Sequence, residues 1–408
     1  MEFRKYQLEI IKKGADVLGE HGFLYLAMEV RTGKTLTSLG IAGEMRVNSV
    51  LFVTKKKAIS SIEKDYELLK PNFKMEVINY ESLHKISGSY DLIVLDEAHC
   101  MGAFPKPSKR AKQVKLLVGQ QDPMVILMSG TPTPESYSQM YHQVYMCKRN
   151  PFKEYKSFYK FCGKYVNVTE RMINSLRIRD YSKGSELILD KMKPYTINYS
   201  QKEAGFKVKT TEKVLYVEML PKTYEVARML KKDLVVEGRE EVILADTPVK
   251  LMMKLHQIYS GTVKFEGGNS QVLDYSKAGF IRDYFKDMKV GIFYKFKEEL
   301  NALKEVYGDS LTNDLVEFEA TDKSIALQIV SGREGISLKQ ASCLVYYNID
   351  FSATSYWQSK DRMTTKDRLE NDVYWIFSKG GIEGKIYNAV KNKKDYTLNH
   401  FKKDLLSL

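Results

Sequence analysis

Gly33, Lys34 and Thr35 form the last part of a phosphate-binding loop pattern, within the stretch AMEVRTGKTL. In such a loop the lysine amine reaches the β- and γ-phosphates of a nucleotide, and the threonine hydroxyl binds magnesium. Backbone N–H groups and the start of the following helix face the phosphates. The full pattern, GxxxxGK[ST], also requires a glycine where this chain has Met28, and Arg31 lies inside the loop. The tripeptide alone therefore leaves open whether this is a nucleotide site or a chance match.

Two carboxylates, Asp96 and Glu97, follow an apolar run in the stretch DLIVLDEAH. Ligands of open α/β sheets gather at the carboxyl ends of the strands, which is where this pair would lie. Asp96 is placed to hold magnesium through water, and Glu97 is placed to polarise a water that attacks phosphate. The alternative is a solvated acidic pair at the end of a strand, and the GKT sequence upstream favours the nucleotide interpretation.

A third candidate element is the stretch LMSGTPTPE, in which another apolar run ends in Ser129, Gly130 and Thr131. Small hydroxyl side chains at this edge would sense the γ-phosphate through Asp96 and Glu97. The stretch alone is typical of an ordinary turn, and its place after GKT and DEAH favours a functional role.

A parallel sheet is needed to bring these residues together, and the hydrophobic pattern predicts one. Apolar runs typical of buried strands occur at 23–30, 50–54, 75–80, 90–96 and 123–130. Helical patterns separate several of them, at 4–20, 35–45 and 56–70. The strand pattern resumes at 289–296, 325–332, 343–350 and 371–378, and a helix is predicted near 382–393. Buried continuous strands that alternate with helices indicate an α/β fold with parallel sheets.

Composition narrows the class of protein. The 408 residues are 43% hydrophobic, which allows two or three domains, and no apolar run is long enough to span a bilayer. The 64 basic and 51 acidic residues leave a net charge of +13, which favours a nucleic-acid partner over an ordinary basic protein only modestly. Four widely spaced cysteines without a CxxC pair argue against zinc and disulfides and for a reducing compartment. The charged N-terminus is not typical of a signal peptide, so we expect a cytoplasmic protein without membrane contact.

The order of these stretches is similar to that of a known family. GKT, DEAH and SGTP resemble motifs I, II and III of superfamily-two helicases and translocases, and FRKYQLEII resembles their Q motif. VLFVTKKKAI and VINYESL resemble motifs Ia and Ib, and VGIFYKFKEEL resembles motif IV. VSGREGISLKQAS resembles motif V, with Gly335 at its turn, and SYWQSKDRMTTKDR resembles motif VI. The resemblance extends from Phe3 to about Tyr396 and is strongest to Swi/Snf-type translocases, in a compact version like those of phages and mobile elements.

The resemblance implies two RecA-like parallel-sheet lobes at 1–150 and 266–408, with a mostly helical region at 151–265 between them. It implies ATP and magnesium in a cleft between the lobes, with hydrolysis driving movement along nucleic acid. Lys34, Asp96, Glu97 and Arg362 would be catalytic, with Thr35 and Asp96 holding the magnesium. Gln7 would read the adenine edge with support from Arg4. The residues expected to bind ATP are Arg4, Gln7, Arg31, Thr32, Gly33, Lys34, Thr35, Gly335, Arg362 and Arg368, and those expected to couple hydrolysis to movement are Ser129, Thr131, Gln358 and Asp361.

Two departures from the family pattern concern arginines. Motif VI commonly reads QxxDRxxR, and this chain has Thr365 in place of the last arginine. Arg362 is therefore the expected arginine finger, and Arg368, about one helical turn beyond Thr365, is a candidate second one. Swi/Snf-type loops commonly read DEMGLGKT, so they too lack the first glycine, but Arg31 stands where they have a glycine. Arg31 would either pair with an acidic neighbour or contact phosphate.

The expected nucleic-acid track uses Thr54, Lys55 and Lys56, which follow a predicted strand. The basic stretch 106–115 would bind nucleic-acid backbone or form solvated surface, and the aromatic stretch 152–165 would pack in the core or stack on bases. Phosphate contacts predict little base specificity and a strong dependence on salt.

Three functions remain open on the sequence. The first is a monomeric ATP-dependent translocase on double-stranded DNA that remodels or branch-migrates it, in a bacterial or phage-infected cell. The second is a strand-separating helicase on DNA or RNA. The third is a nucleic-acid-binding ATP switch with weak hydrolysis, which the reduced motif VI favours.

Overall fold

Two compact units, Met1–Phe206 and Lys207–Leu408, make up the chain. The structure is a computed structural model that describes residues 2–173, 176–238, 241–332, 336–365 and 368–392. In this described part of the chain, no helix is both long and apolar enough to cross a membrane.

The first unit is built on a six-stranded sheet in which every neighbouring pair is parallel. Its strand order is β3-β2-β4-β5-β1-β8. The strands of this unit are β1 (Phe23–Met28), β2 (Ser49–Thr54), β3 (Lys74–Asn79), β4 (Leu92–Leu95), β5 (Met124–Met128), β6 (Thr169–Ile173), β7 (Leu176–Asp180) and β8 (Thr196–Tyr199), of which β6 and β7 form a separate hairpin. The helices are α1 (Lys5–His21), α2 (Lys34–Glu44), α3 (Ile59–Leu69), α4 (Lys109–Gln121), α5 (Met140–Val144), α6 (Phe158–Tyr165) and α7 (Leu187–Met192).

Helices cover both faces of this sheet, because its strands are apolar on both sides. In β1, Phe23 and Tyr25 pack into one core cluster with α4 to α7, while Leu24 and Leu26 pack into another with α1 to α3. This division follows the two-residue period of a strand. The continuous apolar runs of the sequence are thus explained by burial on both faces.

The second unit repeats this plan with a parallel sheet in the order β15-β16-β14-β17-β18-β9. The strands are β9 (Lys209–Val217), β10 (Val235–Glu237), β11 (Val242–Leu244), β12 (Thr262–Lys264), β13 (Ser270–Val272), β14 (Val290–Tyr294), β15 (Leu311–Thr312), β16 (Ser324–Gln328), β17 (Cys343–Tyr346) and β18 (Glu370–Ser378). The helices are α8 (Pro221–Asp233), α9 (Pro248–Tyr259), α10 (Ser276–Tyr284), α11 (Lys297–Tyr307), α12 (Leu315–Ala320), α13 (Ile329–Gly332), α14 (Ala353–Ser359) and α15 (Glu383–Lys391). Two core clusters again lie on opposite faces of the sheet.

The predicted fold class, two parallel-sheet α/β lobes, is confirmed. The division of the chain differs from the expected one, because residues 151–265 do not form a separate body. This segment supplies β8, which pairs with β1, and β9, which pairs with β18, so each half is bound into a sheet. The boundary therefore falls at Phe206, between these two edge strands.

Candidate active site

The GKT turn is shaped by two residues in the left-handed backbone region. Gly33 has φ 80° and is the N-cap of α2, and Arg31 has φ 64°. A side chain at Gly33 would also collide with Gln7, since a Cβ there would lie 2.6 Å from Gln7 Nε2. Glycine reaches positive φ at little cost, whereas other residues are strained there. Arg31 thus has the backbone conformation of the glycine that the resemblance predicts at its position.

Side chains from α1 hold the loop from one side. Tyr6 donates its hydroxyl to the carbonyl of Thr32 at 3.1 Å, and Arg4 Nη1 lies 3.2 Å from the Tyr6 hydroxyl. Buried Gln7 places Nε2 3.4 Å from both Gly33 O and Thr37 Oγ1, and its Oε1 accepts the backbone N–H of Arg4. Thr32 closes the turn by donating its hydroxyl to the carbonyl of Glu29 at 2.7 Å. The Q-motif residues therefore contact the loop backbone directly.

The edge strand β8 holds the loop from the other side, and sequence reasoning missed it. Tyr199 stacks on Tyr6 with 4.7 Å between ring centroids, and its carbonyl accepts the N–H of Glu29 at 2.9 Å. Gln201 donates its backbone N–H to Glu29 Oε2 at 2.7 Å and its side chain to Val30 O at 2.9 Å. The signal was present in YTINYS, which contains the β-branched and aromatic residues that strands favour.

Asp96 is held by the ends of two neighbouring strands. Thr54 Oγ1 donates to Asp96 Oδ2 at 2.8 Å, and the Tyr80 hydroxyl donates to the Asp96 carbonyl at 2.6 Å. Burial and the adjacent Glu97 carboxylate raise the pKa of Asp96 to about 6, against the opposing effect of the Lys34 charge. The carboxylate is therefore fixed in position but electrostatically strained, as carboxylates at functional sites often are.

Glu97 is linked to the SGT turn through a histidine. Its backbone is left-handed at φ 50°, and its Oε2 lies 3.3 Å from His99 Nδ1. His99 Nδ1 is also 3.0 Å from Ser129 Oγ, which accepts the backbone N–H of Thr131 at 3.1 Å. His99 was not among the residues selected from sequence, although it is the last letter of the DEAH stretch.

Lys34 lies at the same edge of the sheet as the acidic pair and the SGT turn. Its Nζ is 3.5 Å from Glu29 O, and a Cβ added to Gly130 would lie 3.5 Å from it. This proximity follows from the sheet order, because β5, which ends in the SGT turn, pairs with both β1 and β4. The three sequence stretches that suggested chemistry therefore meet.

Thr54 occupies a different place from the one expected for a nucleic-acid contact. Its side chain is buried, because β2 extends through Thr54 and the Val53–Leu95 register sets Thr54 beside Asp96. Lys55 is half-buried and Lys56 exposed, at a short turn after β2. The two lysines keep the expected surface position, and Thr54 becomes a residue that positions Asp96.

In the second unit, Arg362 and Arg368 bind backbone carbonyls. Arg362 is buried, with Nε 3.1 Å from Gln358 O and Nη1 3.3 Å from Ile336 O. Arg368 donates to four carbonyls at 2.7–3.3 Å, those of Lys339, Ala341, Ser342 and Glu370. The Arg368 guanidinium is thus occupied in holding the 339–342 turn, and its role as a second phosphate ligand stays a prediction.

The other second-unit candidates flank Arg362 or lie beyond the described residues. Gln358 is buried in α14, and Asp361 is half-buried in the short turn that follows. Gly335 lies outside the described residues.

The residues at the first sheet edge fit magnesium and a nucleotide phosphate. The Thr35 hydroxyl and the Asp96 carboxylate are the oxygen donors that Mg²⁺ takes, usually with one or two carboxylates and substrate phosphates. Among the described residues, no group of three or more His, Cys, Asp or Glu side chains is arranged to hold a metal ion. Gly33 has no side chain to cap the first N–H groups of α2, which leaves them for an anion.

Comparisons with known proteins gave distant structural likenesses. The chain matches no protein-family model and no curated protein. It is similar to the Sulfolobus solfataricus SWI2/SNF2 ATPase core in complex with dsDNA, at 15% identity and TM-score 0.42, over 100% of this chain and 93% of that chain. It is also similar to the Sulfolobus solfataricus SWI2/SNF2 ATPase core domain, at 14% identity and TM-score 0.43, over 96% of this chain and 89% of that chain. Likenesses at this level do not define an activity.

Proposed function

We propose that this chain is a nucleic-acid-dependent ATP hydrolase, a motor of the superfamily-two class and of the Swi/Snf type within it. The observation that carries the proposal is the meeting of the GKT turn, the Asp96–Glu97 pair and the SGT turn at one edge of the first sheet. A lysine, a helix N-terminus and two carboxylates are the groups that phosphoryl transfer to water requires.

Each residue has a stated part in this chemistry. Lys34 binds the β- and γ-phosphates, Thr35 and Asp96 hold magnesium, and Glu97 orients the attacking water. Magnesium, when bound, neutralises charge on the phosphate oxygens. Thr54 and Tyr80 fix Asp96, whereas His99 ties Glu97 to Ser129.

Arg362 remains the proposed arginine that stabilises the transition state. It must exchange its bonds to Gln358 O and Ile336 O to reach a phosphate. Gln7 remains the residue proposed to contact adenine. Arg31 remains the loop residue proposed to contact a phosphate of ATP.

The proposed substrate track is the backbone of double-stranded DNA, along which the protein would translocate to remodel or branch-migrate it. The order of the family-like motifs and the net charge of +13 support this choice. A second candidate is a nucleic-acid-binding switch with weak hydrolysis. The carbonyl contacts of Arg362 and Arg368 favour it, because both guanidinium groups are engaged with backbone rather than directed to ATP.

The test is the ATPase rate without nucleic acid and with single-stranded DNA, double-stranded DNA or RNA. Stimulation by duplex DNA supports the translocase, stimulation by a single strand supports a helicase, and a slow rate in all four supports the switch. Glu97→Gln should lower kcat by about 10²- to 10⁴-fold, the usual contribution of a positioned proton acceptor. Unchanged hydrolysis in Glu97→Gln would remove the basis of the proposal.

A further inference from the structure

A pocket of about 600 Å³ opens on the first unit, outside the residues of the candidate active site. Its walls come from residues 105–107 before α4, from the middle and end of α4, from α5, and from the segment that leads into the start of α6. Specific ligand pockets commonly enclose about 300–1,000 Å³, so this one has room for a nucleotide-sized group.

Lysines dominate the charge of this pocket. Lys106, Lys115, Lys148, Lys153 and Lys156 all line it and all are exposed. None of the described residues that line it is Asp or Glu. Lys148 pairs with Asp122 at 2.9 Å, while the other four form no salt bridge with any residue the structure describes. The pocket therefore favours an anion.

Aromatic rings line the same pocket and are only partly covered. Tyr145 lies under the ammonium group of Lys115, with Nζ 4.3 Å from the ring centroid. Tyr159 is 52% exposed and is held by Phe158 and Tyr181 in edge-to-face contacts of 6.3 and 5.8 Å between centroids. Tyr155 is half-buried, so this group of rings offers surface on which a flat ligand can stack.

Two sequence stretches with open interpretations meet here. The basic stretch 106–115 supplies Lys106 and Lys115, and the aromatic stretch 152–165 supplies Tyr155 and Tyr159. Phe158 and Phe161 of the second stretch are buried, so that stretch is divided between core rings and rings that face the pocket. We refer to this site as the basic-aromatic pocket.

We propose that the basic-aromatic pocket binds a segment of single-stranded nucleic acid, with a base stacked on the exposed ring of Tyr159 and phosphates beside Lys153 and Lys156. Lysines and tyrosines alternate along 153–159, so cationic and aromatic side chains line the pocket side by side. Stacking requires an unpaired base, because the faces of bases in a duplex are already covered. Such binding is additional to the proposed ATP chemistry and does not depend on it.

The test is the affinity of the full chain for a fluorescent oligothymidine, measured by anisotropy without ATP or magnesium. Tyr159→Ala should weaken binding by about five- to 150-fold, the range expected for the loss of one base–aromatic stack. Tyr159→Trp should retain affinity because it keeps a ring. Circular dichroism confirms that each variant is folded.

The phosphate contacts are tested by the salt dependence of the same binding. The double variant Lys153→Gln/Lys156→Gln should lower the slope of log K against log salt by about 1.4, since each single-strand phosphate contact contributes about 0.7. Lys160→Gln is the matched control, because Lys160 is exposed on the adjoining helix but does not line the pocket. It should leave the slope within error.

Two results would overturn the proposal. One is equal affinity of Tyr159→Ala and the wild-type chain for the oligothymidine. The other is an equal loss of affinity for duplex and single strand in that variant, which would show a general backbone contact. Neither readout uses ATP, so failure here leaves the ATPase result untouched, and loss of ATPase activity leaves this test intact.

Discussion

The charged residues at the carboxyl edges of the two parallel sheets differ in solvent accessibility and in pairing. At the first edge, Lys34, Asp96 and Glu97 remain partly accessible, and Lys34 forms no salt bridge with any described residue. At the second edge, Lys277 and Glu383 are fully buried and 2.7 Å apart. The same architecture thus has solvent-accessible charged side chains in one unit and a buried salt bridge in the other.

The second edge contains further polar groups that are paired with one another. Glu299 accepts from Asn348 at 2.6 Å, and Asn348 Oδ1 lies 2.6 Å from His256 Nε2. Lys295 and Asp350 form a half-buried pair, also at 2.6 Å. Burial lowers the pKa of His256 well below its ordinary value.

This difference suggests a structural role for the paired charges of the second edge and a role in ligand binding for the accessible charges of the first. A buried charge is tolerated when a partner and hydrogen bonds compensate it. At the second edge, Glu383 Oε1 pairs with Lys277 and accepts from Ser378, while Glu383 Oε2 has no hydrogen-bond partner among the described residues. At the first edge, burial and then the neighbouring Glu97 carboxylate raise the pKa of Asp96, and the charge of Lys34 opposes this rise without cancelling it. A bound cation would oppose this rise, so the proposed magnesium site suits the first edge, whereas the charges of the second edge are paired within the fold.

The largest expected effect is on the free energy of unfolding, when a lysine at each of the two edges is replaced by methionine. Lys277→Met should lower the free energy of unfolding of the second unit by about 3–5 kcal/mol, because it leaves Glu383 buried without its cation. Lys34→Met should change stability by about 0.5 kcal/mol or less, as for surface positions, while abolishing ATP hydrolysis. Both tryptophans, Trp357 and Trp375, lie in the second unit, so urea unfolding followed by tryptophan fluorescence reports on that unit.

A second variant controls this comparison. Adding Glu383→Gln to Lys277→Met removes the unpaired charge and should recover part of the lost stability. If Lys34→Met destabilised the protein as much as Lys277→Met, the distinction between the two edges would be wrong. Circular dichroism, which detects both units, provides that check on Lys34→Met.

An intermediate effect is expected at Thr54, which distinguishes positioning from nucleic-acid contact. Thr54→Val keeps the shape of the side chain but removes the hydrogen bond to Asp96, a kind of bond that contributes about 1.5–3 kcal/mol. We expect kcat for ATP to fall by about tenfold or more, with nucleic-acid affinity unchanged, and Thr54→Ser to restore the rate. A loss of nucleic-acid affinity with kcat intact would return Thr54 to the nucleic-acid track.

Strands buried on both faces were predictable from sequence, because an apolar run such as Leu92–Leu95 allows few other structures. Edge strand β8 gave a weaker signal, in YTINYS, because it is short and partly exposed. The contact of the Thr54 side chain with Asp96 could not be predicted from sequence, because it depends on the register between β2 and β4, which lie about forty residues apart in the chain. The partners of Arg368 are backbone carbonyls, which carry no sequence signal at all.

The smallest expected effect concerns Arg31, whose left-handed backbone the loop imposes. Arg31→Gly removes strain of about 1–2 kcal/mol but adds freedom to the unfolded chain worth about 0.5–1 kcal/mol, so stability should change by about 1 kcal/mol or less. Arg31→Val should be clearly destabilising, because a β-branched residue fits this conformation poorly. ATP affinity then decides the role of the side chain: a weaker affinity in Arg31→Gly at unchanged stability identifies a phosphate contact. Equal affinity would rule out the phosphate contact and leave the pairing of Arg31 with an acidic neighbour, and Lys34 and the two carboxylates would then be the charges of the first edge that act on ATP.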